Sequence, residues 1–179
     1  EQPIEILAYE LLPDRAGAGK FRGGAPYFRE YRFTEKEAVL QVRSDRARFR
    51  PYGLYGGLPG QPSANYLNPL QENQKLTSKP TMMIKNGDVF RHELAGGGGW
   101  GDALERDPAH VLRDVRNELV GIEAARESYG VVINPEAWTV DTKATEELRA
   151  QIREKRGWKE NPFVAWDDEG TETALAAAE

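Results

Sequence analysis

The sequence contains no cysteine and only two histidines. The missing cysteine excludes disulfides, thiolate metal sites and a cysteine nucleophile within this chain. No apolar stretch reaches the roughly 18 residues that a membrane span needs, and no signal peptide is visible. These absences predict a cytoplasmic protein that does not bind membranes.

The chain has no excess of positive charge. The chain has 24 lysines and arginines against 29 acids, a net charge of −5, which predicts no nucleic-acid partner. Its 18 glycines and 11 prolines predict many turns and long loops. A length of 179 residues suits one compact domain or one lobe of something larger. Because the chain begins at Glu1 rather than methionine, we expect a removed start or a piece of a longer polypeptide.

Alternating apolar and polar residues predict several strands in the first half of the chain. The segments 4–12, 27–34 and 38–42 have this pattern, and a short charged turn predicts that the last two pair as a hairpin. Asn86 and Gly87 lie between two further apolar runs. This pair predicts a second hairpin with a type I′ turn.

The pattern becomes helical after residue 106. Asp107 and Pro108 have the character of an N-cap and a first helical residue. Val111, Val115 and Leu119 then recur every four residues, which predicts one apolar stripe on a helix.

Two more helices follow in the prediction. The first covers Ile122–Tyr129 and ends at Gly130, and the second covers Lys143–Arg156 and ends at Gly157. We therefore predict an α+β fold with a β-rich region over 1–106 and a helical region over 107–158. An acidic tail, 159–179, is expected to wrap over a neighbour or to be partly disordered.

A basic cluster lies in the long irregular segment 43–74. The stretch "SDRARFRPYG" contains Asp45, Arg46, Arg48, Arg50 and Tyr52. Such a cluster could bind a carboxylate or phosphate, or an Asp–Arg pair could tie down the loop, and the residues alone favour neither. Asp45 and Arg46 are the candidate catalytic residues.

Four consecutive glycines raise the question of a phosphate cradle. A P-loop needs a lysine and a serine or threonine after the last glycine, whereas Trp100, Gly101 and Asp102 follow here. The sequence therefore favours a structural turn or an interface loop over an anion site. The candidates for a substrate or interface loop are Tyr52, Gly96, Gly97, Gly98, Gly99 and Asp102.

The sequence gives little support for a metal site or for a catalytic serine. His92 and His110 lie on different predicted elements and form neither H-E-x-x-H nor H-x-x-E-H. We predict no metal site from this chain alone, although a partner could supply ligands. The serines lack the G-x-S-x-G context of a nucleophile.

Four stretches together carry a resemblance to a known family. In order they are "GAGKFRGGAPYFREYRF", "SDRARFRPYGLYGGLPG", "KNGDVFRHELAGGGGWGDALERDP" and "VLRDVRNELVGIEAARESYGVVI". Over residues 3–157 the chain resembles the C-terminal part of the hydantoinase B family. That family includes the second half of ATP-dependent 5-oxoprolinases and the corresponding subunits of acetone and acetophenone carboxylases.

The resemblance implies a two-component ATP-dependent enzyme. A hydantoinase A-type subunit would bind ATP and Mg and phosphorylate the substrate oxygen, and the B-type component would complete the reaction. That completion is hydrolysis of an activated cyclic amide or carboxylation of an enol phosphate. We favour the hydrolase, whose members are more common, and keep two alternatives: the carboxylase and a non-catalytic assembly module.

The resemblance also implies partners for this chain. They are the remaining N-terminal B-type portion, the A-type ATP-binding subunit and a small-molecule substrate. A divalent metal would belong to the B-type portion outside this chain, so no metal ligand is assigned here and the isolated chain is expected to be inactive. The lack of cysteine argues against the zinc-binding small subunit of acetone carboxylase.

Overall fold

A five-stranded antiparallel sheet and three helices dominate residues 3–156, the part of the chain that the computed structural model describes. The strands are β1 (Ile4–Leu11), β2 (Tyr27–Phe33), β3 (Glu37–Gln41), β4 (Ala64–Leu67), β5 (Gln74–Leu76), β6 (Thr81–Lys85), β7 (Val89–Glu93), β8 (Ile133–Asn134) and β9 (Thr139–Val140). The helices are α1 (Pro108–Arg116), α2 (Ile122–Tyr129) and α3 (Thr142–Arg156), preceded by a 3₁₀ turn at Ala103–Glu105. This mixture confirms the predicted α+β class.

The large sheet has the strand order β1-β2-β7-β4-β5. Residues that lie opposite each other share a face, so Arg29 of β2 lies beside His92 of β7, and Glu30 lies beside Arg91 on the other face. Strand β1 forms one edge, with a bulge between Ile6 and Ala8.

The predicted hairpin of 27–34 with 38–42 is wrong. Strand β2 pairs with β1 and β7, whereas β3 pairs with β6 in a separate two-stranded sheet. That small sheet places Leu40 and Ile84 against Leu67 and Phe90 of the large sheet. Packing one sheet on the other buries apolar side chains that a continuous hairpin would leave in water.

The hairpin predicted at Asn86 and Gly87 is also wrong, although the turn exists. Asp88 N–H donates to the Lys85 carbonyl (3.1 Å), and Gly87 has a φ of +88°. A type I′ turn needs positive φ at both central residues, and Asn86 is not among the described residues with positive φ. The Asn86 side chain instead donates to the Thr34 carbonyl. The turn therefore carries the chain from β6 in one sheet to β7 in the other.

Local capping explains the helix boundaries. The Asp107 carboxylate accepts from Ala109 N–H (2.8 Å), and Pro108 occupies the first turn, as predicted. Helix α2 has the predicted bounds and ends at Gly130, whose φ of +60° is the left-handed conformation common at helix ends. Helix α3 ends at Arg156, and the predicted stop at Gly157 and the acidic tail lie outside the described residues.

The apolar stripe on α1 is shorter than predicted. Val111 and Val115 are buried, but the helix ends at Arg116, so Leu119 lies in the turn that follows. Glu118 adopts a φ of +57°, which ends the helical path.

A second core lies under the helices. It consists of buried residues from α1, α2 and their connections together with one residue from the glycine-rich loop, namely Ala18, Ala103, Val111, Val115, Val120, Ala125, Tyr129, Val131 and Ile133. The loop is thus fixed to the helical region. In the part of the chain described, no helix is long and apolar enough to cross a bilayer.

Candidate functional site

Three glycine-rich segments from distant parts of the chain pack side by side. We call residues 15–24, 51–61 and 96–101 the glycine bundle. Backbone hydrogen bonds join its segments: Gly17 N–H to Gly97 O (2.8 Å), Gly97 N–H to Gly24 O (3.0 Å) and Gly99 N–H to Leu58 O (2.9 Å).

The central segment, 96–99, is crowded on three sides. A Cβ atom would lie 1.8 Å from Arg15 O at Gly96, 2.8 Å from Gly24 N at Gly97, 1.8 Å from Tyr52 O at Gly98 and 2.2 Å from Ala18 O at Gly99. Gly96, Gly97 and Gly99 face the segment 15–24, whereas Gly98 faces the segment 51–61. Such packing leaves room for glycine alone, as at the axis of a collagen triple helix.

Three of the four backbone donors of this segment are already engaged. The N–H groups of Gly96, Gly97 and Gly99 donate to the carbonyls of Gln61, Gly24 and Leu58. Donors bound to protein carbonyls cannot also cradle a phosphate. The geometry therefore supports the structural interpretation of the glycine run.

An exposed group of aromatic rings lies on the surface of the bundle. The ring centroid of Trp100 lies 5.5 Å from that of Phe21 and 5.3 Å from that of Tyr55. Phe21 and Trp100 also exchange two backbone hydrogen bonds of 2.9 Å. We call these three residues the aromatic cap. Exposed rings on a hydrogen-bonded backbone are typical of binding surfaces.

The structure places the two candidate catalytic residues in an exposed, irregular part of the chain. The Asp45 side chain is 88% exposed, and its carboxylate lies 3.9 Å from Lys79 Nζ rather than in a pair with an arginine. Arg46 has a φ of +63°, and its carbonyl accepts from Ser63 N–H. Their catalytic role stays a prediction.

A different arginine of the same cluster holds the loop. Arg50 Nε donates to Gly60 O (2.8 Å) and its Nη2 to Pro59 O (3.5 Å), so its side chain ties the loop to the glycine bundle. Arg48 lies over the ring of Phe49, 5.5 Å from the centroid. Tyr52 is exposed, but its carbonyl packs against Gly98 inside the bundle.

Asp102 has a structural contact at the end of the bundle. Its buried carboxylate accepts from Leu104 N–H (3.0 Å) and lies 3.9 Å from Arg156 Nη1 of α3. The side chain therefore caps the 3₁₀ turn where the bundle meets the helices.

A buried ion cluster that the sequence reasoning missed connects the glycine bundle to α1. The Asp114 carboxylate accepts from Arg22 Nε (3.1 Å) and from Arg106 Nη2 (2.8 Å). The sequence did contain a signal for this cluster, because Asp114 lies between Val111 and Val115 on the apolar face of α1. A carboxylate there needs a buried cationic partner.

A cavity of about 40 Å³ adjoins Arg22 and is lined also by Asp14 and Tyr129. This volume suits a water molecule rather than a substrate. Burial raises the pKa of Tyr129 to about 12, so its phenol is neutral at pH 7.

His92 is held in one tautomer. The Asn65 amide nitrogen donates to the Thr77 carbonyl (3.0 Å), so the amide oxygen faces His92 Nδ1 at 2.7 Å, and Nδ1 carries the proton. Burial, then the charge of Arg29, lowers the pKa of His92. His110 is exposed on α1. Residues 3–156 contain no group of three or more histidines and acids placed to hold a metal.

The comparison with protein families identifies this chain's family. The model of the Hydantoinase B/oxoprolinase family matches residues 1–103, more than half of the sequence. The chain belongs to the hydantoinase B/oxoprolinase family.

Relatives with assigned names support the same family. The beta chain of caprolactamase from Pseudomonas jessenii is 35% identical over 160 residues, covering 83% of this chain and 26% of that protein. The B component of a putative D-/L-hydantoinase from Pseudomonas sp. (strain NS671) is 31% identical over 150 residues, covering 82% and 25%. The chain therefore spans about a quarter of the length of these relatives.

Solved structures agree with the fold. The crystal structure of the ATP-dependent caprolactamase from Pseudomonas jessenii matches with a TM-score of 0.68 at 32% identity, over 83% of this chain and 26% of that one. Nucleotide-free acetone carboxylase matches with the same TM-score at 22% identity, over 98% and 28%. At that identity the second match shows a shared fold only.

Proposed function

We propose that this chain is one component of an ATP-dependent enzyme that hydrolyses a phosphate-activated cyclic amide. The observation that carries the proposal is the match to the ATP-dependent caprolactamase, at 32% identity and a TM-score of 0.68. An amide oxygen is a poor leaving group until it is phosphorylated, so ATP-dependent activation suits such a substrate. An A-type subunit would supply ATP and Mg, and the rest of the B-type polypeptide would supply a divalent metal. The expected compartment is the cytoplasm.

The geometry supports a positioning role for this chain. The N–H groups of Gly96, Gly97 and Gly99 and the Asp102 carboxylate are engaged in hydrogen bonds to protein atoms, whereas the aromatic cap is exposed. The bundle would thus present a fixed surface beside the reaction site, and the remaining chains would carry out phosphoryl transfer and hydrolysis. The same observations favour the second candidate, a non-catalytic assembly module.

A third candidate is a component of a ketone carboxylase. The alpha subunit of acetone carboxylase from Xanthobacter autotrophicus (strain ATCC BAA-1158 / Py2) is 26% identical over 216 residues and covers 98% of this chain. The larger share of this chain that the match covers favours the carboxylase. The lower sequence identity, compared with the 35% of caprolactamase, favours the hydrolase.

The experiment that tests the proposal is native mass spectrometry of the complex purified from the source, followed by assays with ATP. We expect this chain together with a B-type portion and an A-type subunit. Cyclic amides such as a hydantoin, 5-oxoproline and caprolactam should stimulate ATP hydrolysis and be opened. Stimulation by acetone with bicarbonate instead would select the carboxylase, and full activity of the isolated chain would contradict both multi-subunit proposals.

Substitutions separate catalysis from assembly. We predict that Asp45→Asn and Arg46→Ala reduce turnover of the purified complex at least tenfold without changing its composition. Glu72→Gln, an exposed carboxylate in the same irregular region, is the matched control and should leave turnover within twofold. Unchanged turnover, or loss of one of the partner chains, would favour the assembly module.

A further inference from the structure

One face of the five-stranded sheet is covered by the small β3–β6 sheet at one end and is exposed at the other. On this face of β1 and β2 lie the residues of what we call the tyrosine face: Ile6, Tyr9, Leu11, Tyr27 and Arg29. The small β3–β6 sheet packs at the far end, against Tyr31, Phe33 and Phe90. Tyr9 is 62% exposed and Leu11 is 55% exposed. A contiguous apolar and aromatic surface of this kind marks an interaction site.

Arg29 lies at the centre of this face without an acidic partner among residues 3–156. Its guanidinium carbon lies 5.7, 5.3 and 5.9 Å from the ring centroids of Tyr9, Tyr27 and Tyr31. Its Nε is buried and has no hydrogen-bond partner in the described part of the chain. Neighbouring His92 cannot supply a negative charge.

An arginine on the opposite face of the same sheet has both aromatic and carboxylate partners. Arg91 stacks on Phe28 at 3.7 Å and also pairs with Glu30 (3.1 Å) and Glu93 (2.9 Å). Arg29 has the aromatic neighbours but lacks the carboxylates. Its buried Nε therefore lacks an acceptor that an added surface would supply.

The edge of the sheet beside the tyrosine face is open as well. Strand β1 has eight residues, and within residues 3–156 it pairs only with β2. The sequence of β1, IEILAYEL, contains neither proline nor lysine, two residues that protect sheet edges, although its two glutamates and the bulge between Ile6 and Ala8 are other such features. Such an edge is suited to cover by another polypeptide segment.

We infer that the tyrosine face and the outer edge of β1 bind the remainder of the hydantoinase B-type polypeptide, with a carboxylate of that portion paired to Arg29. This inference rests on the proposed function for the identity of the partner. The relatives carry roughly three quarters of their length beyond the segment matched by this chain. Arginine and tyrosine are also the residues most enriched at the energetic centre of interfaces.

Hydroxyl-radical footprinting can locate this interface in the complex purified from the source. The oxidation rates of Tyr9 and Leu11 should fall at least fivefold relative to the isolated chain. Val39 and Met83, on β3 and β6, have 63% and 59% exposure and serve as matched controls that should change less than twofold.

Variants test the role of the charge. Arg29→Ala should weaken binding to the B-type polypeptide at least tenfold in biolayer interferometry, and Arg29→Lys should recover part of the loss. Arg32→Ala is the control, since Arg32 lies on the same strand but on the opposite face. Its Nη1 pairs with the exposed Glu5 carboxylate at 2.9 Å, so removing it should change binding less than twofold. Tyr9→Ala alters an exposed residue, so it should fold normally and also weaken binding.

Each other outcome overturns a defined part of the inference. If the complex contains a B-type portion but Tyr9 stays as reactive as in the isolated chain, the tyrosine face is wrong and the ATP-dependent function stands. Protection that appears in the isolated chain at rising concentration would show a second copy as the occupant. A complex without a B-type portion and without ATP-dependent activity would overturn the inference and the proposed function together.

Discussion

Individual glycines differ sharply in how much space surrounds them. At Gly98 a Cβ atom would lie 1.8 Å from Tyr52 O, whereas at Gly24 no heavy atom lies within 4 Å. Both residues belong to the same bundle. The difference is set by neighbouring segments, which a local sequence window does not contain.

We predict that Gly98→Ala lowers the free energy of unfolding by more than about 3 kcal/mol, because the segments must separate and lose backbone hydrogen bonds. Gly24→Ala should change it by no more than about 1 kcal/mol, since alanine there meets open space and restricts the unfolded chain. Urea denaturation followed by circular dichroism measures both. Similar losses in the two variants would refute the close packing at Gly98.

Sequence reasoning at the residue scale favoured a structural or interface loop over a P-loop, because the lysine that a P-loop needs does not follow the glycines. The hydrogen bonds of Gly96, Gly97 and Gly99 to protein carbonyls support that interpretation. The sequence reasoning did not identify the contacts of Asp102 or Arg50. Both are made to backbone atoms, at Leu104 and at Gly60, whose positions depend on the folded chain. Residue type alone does not reveal such partners.

At the scale of elements, helices were easier to predict than strand pairing. The start at Asp107 and the stop at Gly130 depend on hydrogen bonds and dihedral angles within a few residues, so the local sequence contains the signal. The pairing of β3 with β6 joins residues 40 positions apart, such as Gln41 with Thr81. A turn signal like Asn86-Gly87 predicts a change of direction but not which sheet the next strand joins.

Helix α1 depends on the acid that it carries into the interior. We predict that Asp114→Ala lowers the free energy of unfolding by about 3–5 kcal/mol, because Arg22 and Arg106 would remain as buried cations without compensation. Thermal and urea unfolding measure the loss.

The matched control for α1 is Glu105→Ala. Glu105 pairs with Lys20 at 3.1 Å, but both side chains are about half exposed, so the loss should be under about 1 kcal/mol. A loss of that small size for Asp114→Ala would mean that the buried ion cluster contributes little to stability.

For the whole molecule, the glycine bundle connects two cores. Ala18 of the bundle belongs to the helical core, and Gly96 lies just after strand β7, which contributes Phe90 to the sheet core. Ionising or replacing a buried group in either core should therefore change the free energy of unfolding of the whole molecule. Tyr129 in the helical core is the clearest case.

We predict a specific loss of stability at alkaline pH. The pKa of Tyr129 is raised from 10 to about 12, so its contribution to stability is complete below pH 10 and is lost as the pH rises toward 12. At pH 11 the loss amounts to about 1.4 kcal/mol, the equivalent of one pKa unit. The measurement is the free energy of unfolding in urea at pH 9 and pH 11.

Tyr129→Phe isolates this contribution from the other groups that titrate in the same range. The variant should lose less stability than the natural chain between the two pH values, by about 1.4 kcal/mol. Parallel losses would show that Tyr129 ionises as easily in the folded chain as in the unfolded one.

The glycine bundle also has a consequence for the order in which the chain folds. Its hydrogen bonds join residues as far apart as Gly17 and Gly97, 80 positions along the sequence. Contacts of such separation form slowly, because a long loop must close before any of them is made. On a translating ribosome the first two segments can bind each other, through Leu58 N–H to Ala18 O and Gln61 N–H to Arg15 O. Their hydrogen bonds to the central segment must wait until Gly96–Gly99 has emerged. We expect bundle closure to be the slow step of folding.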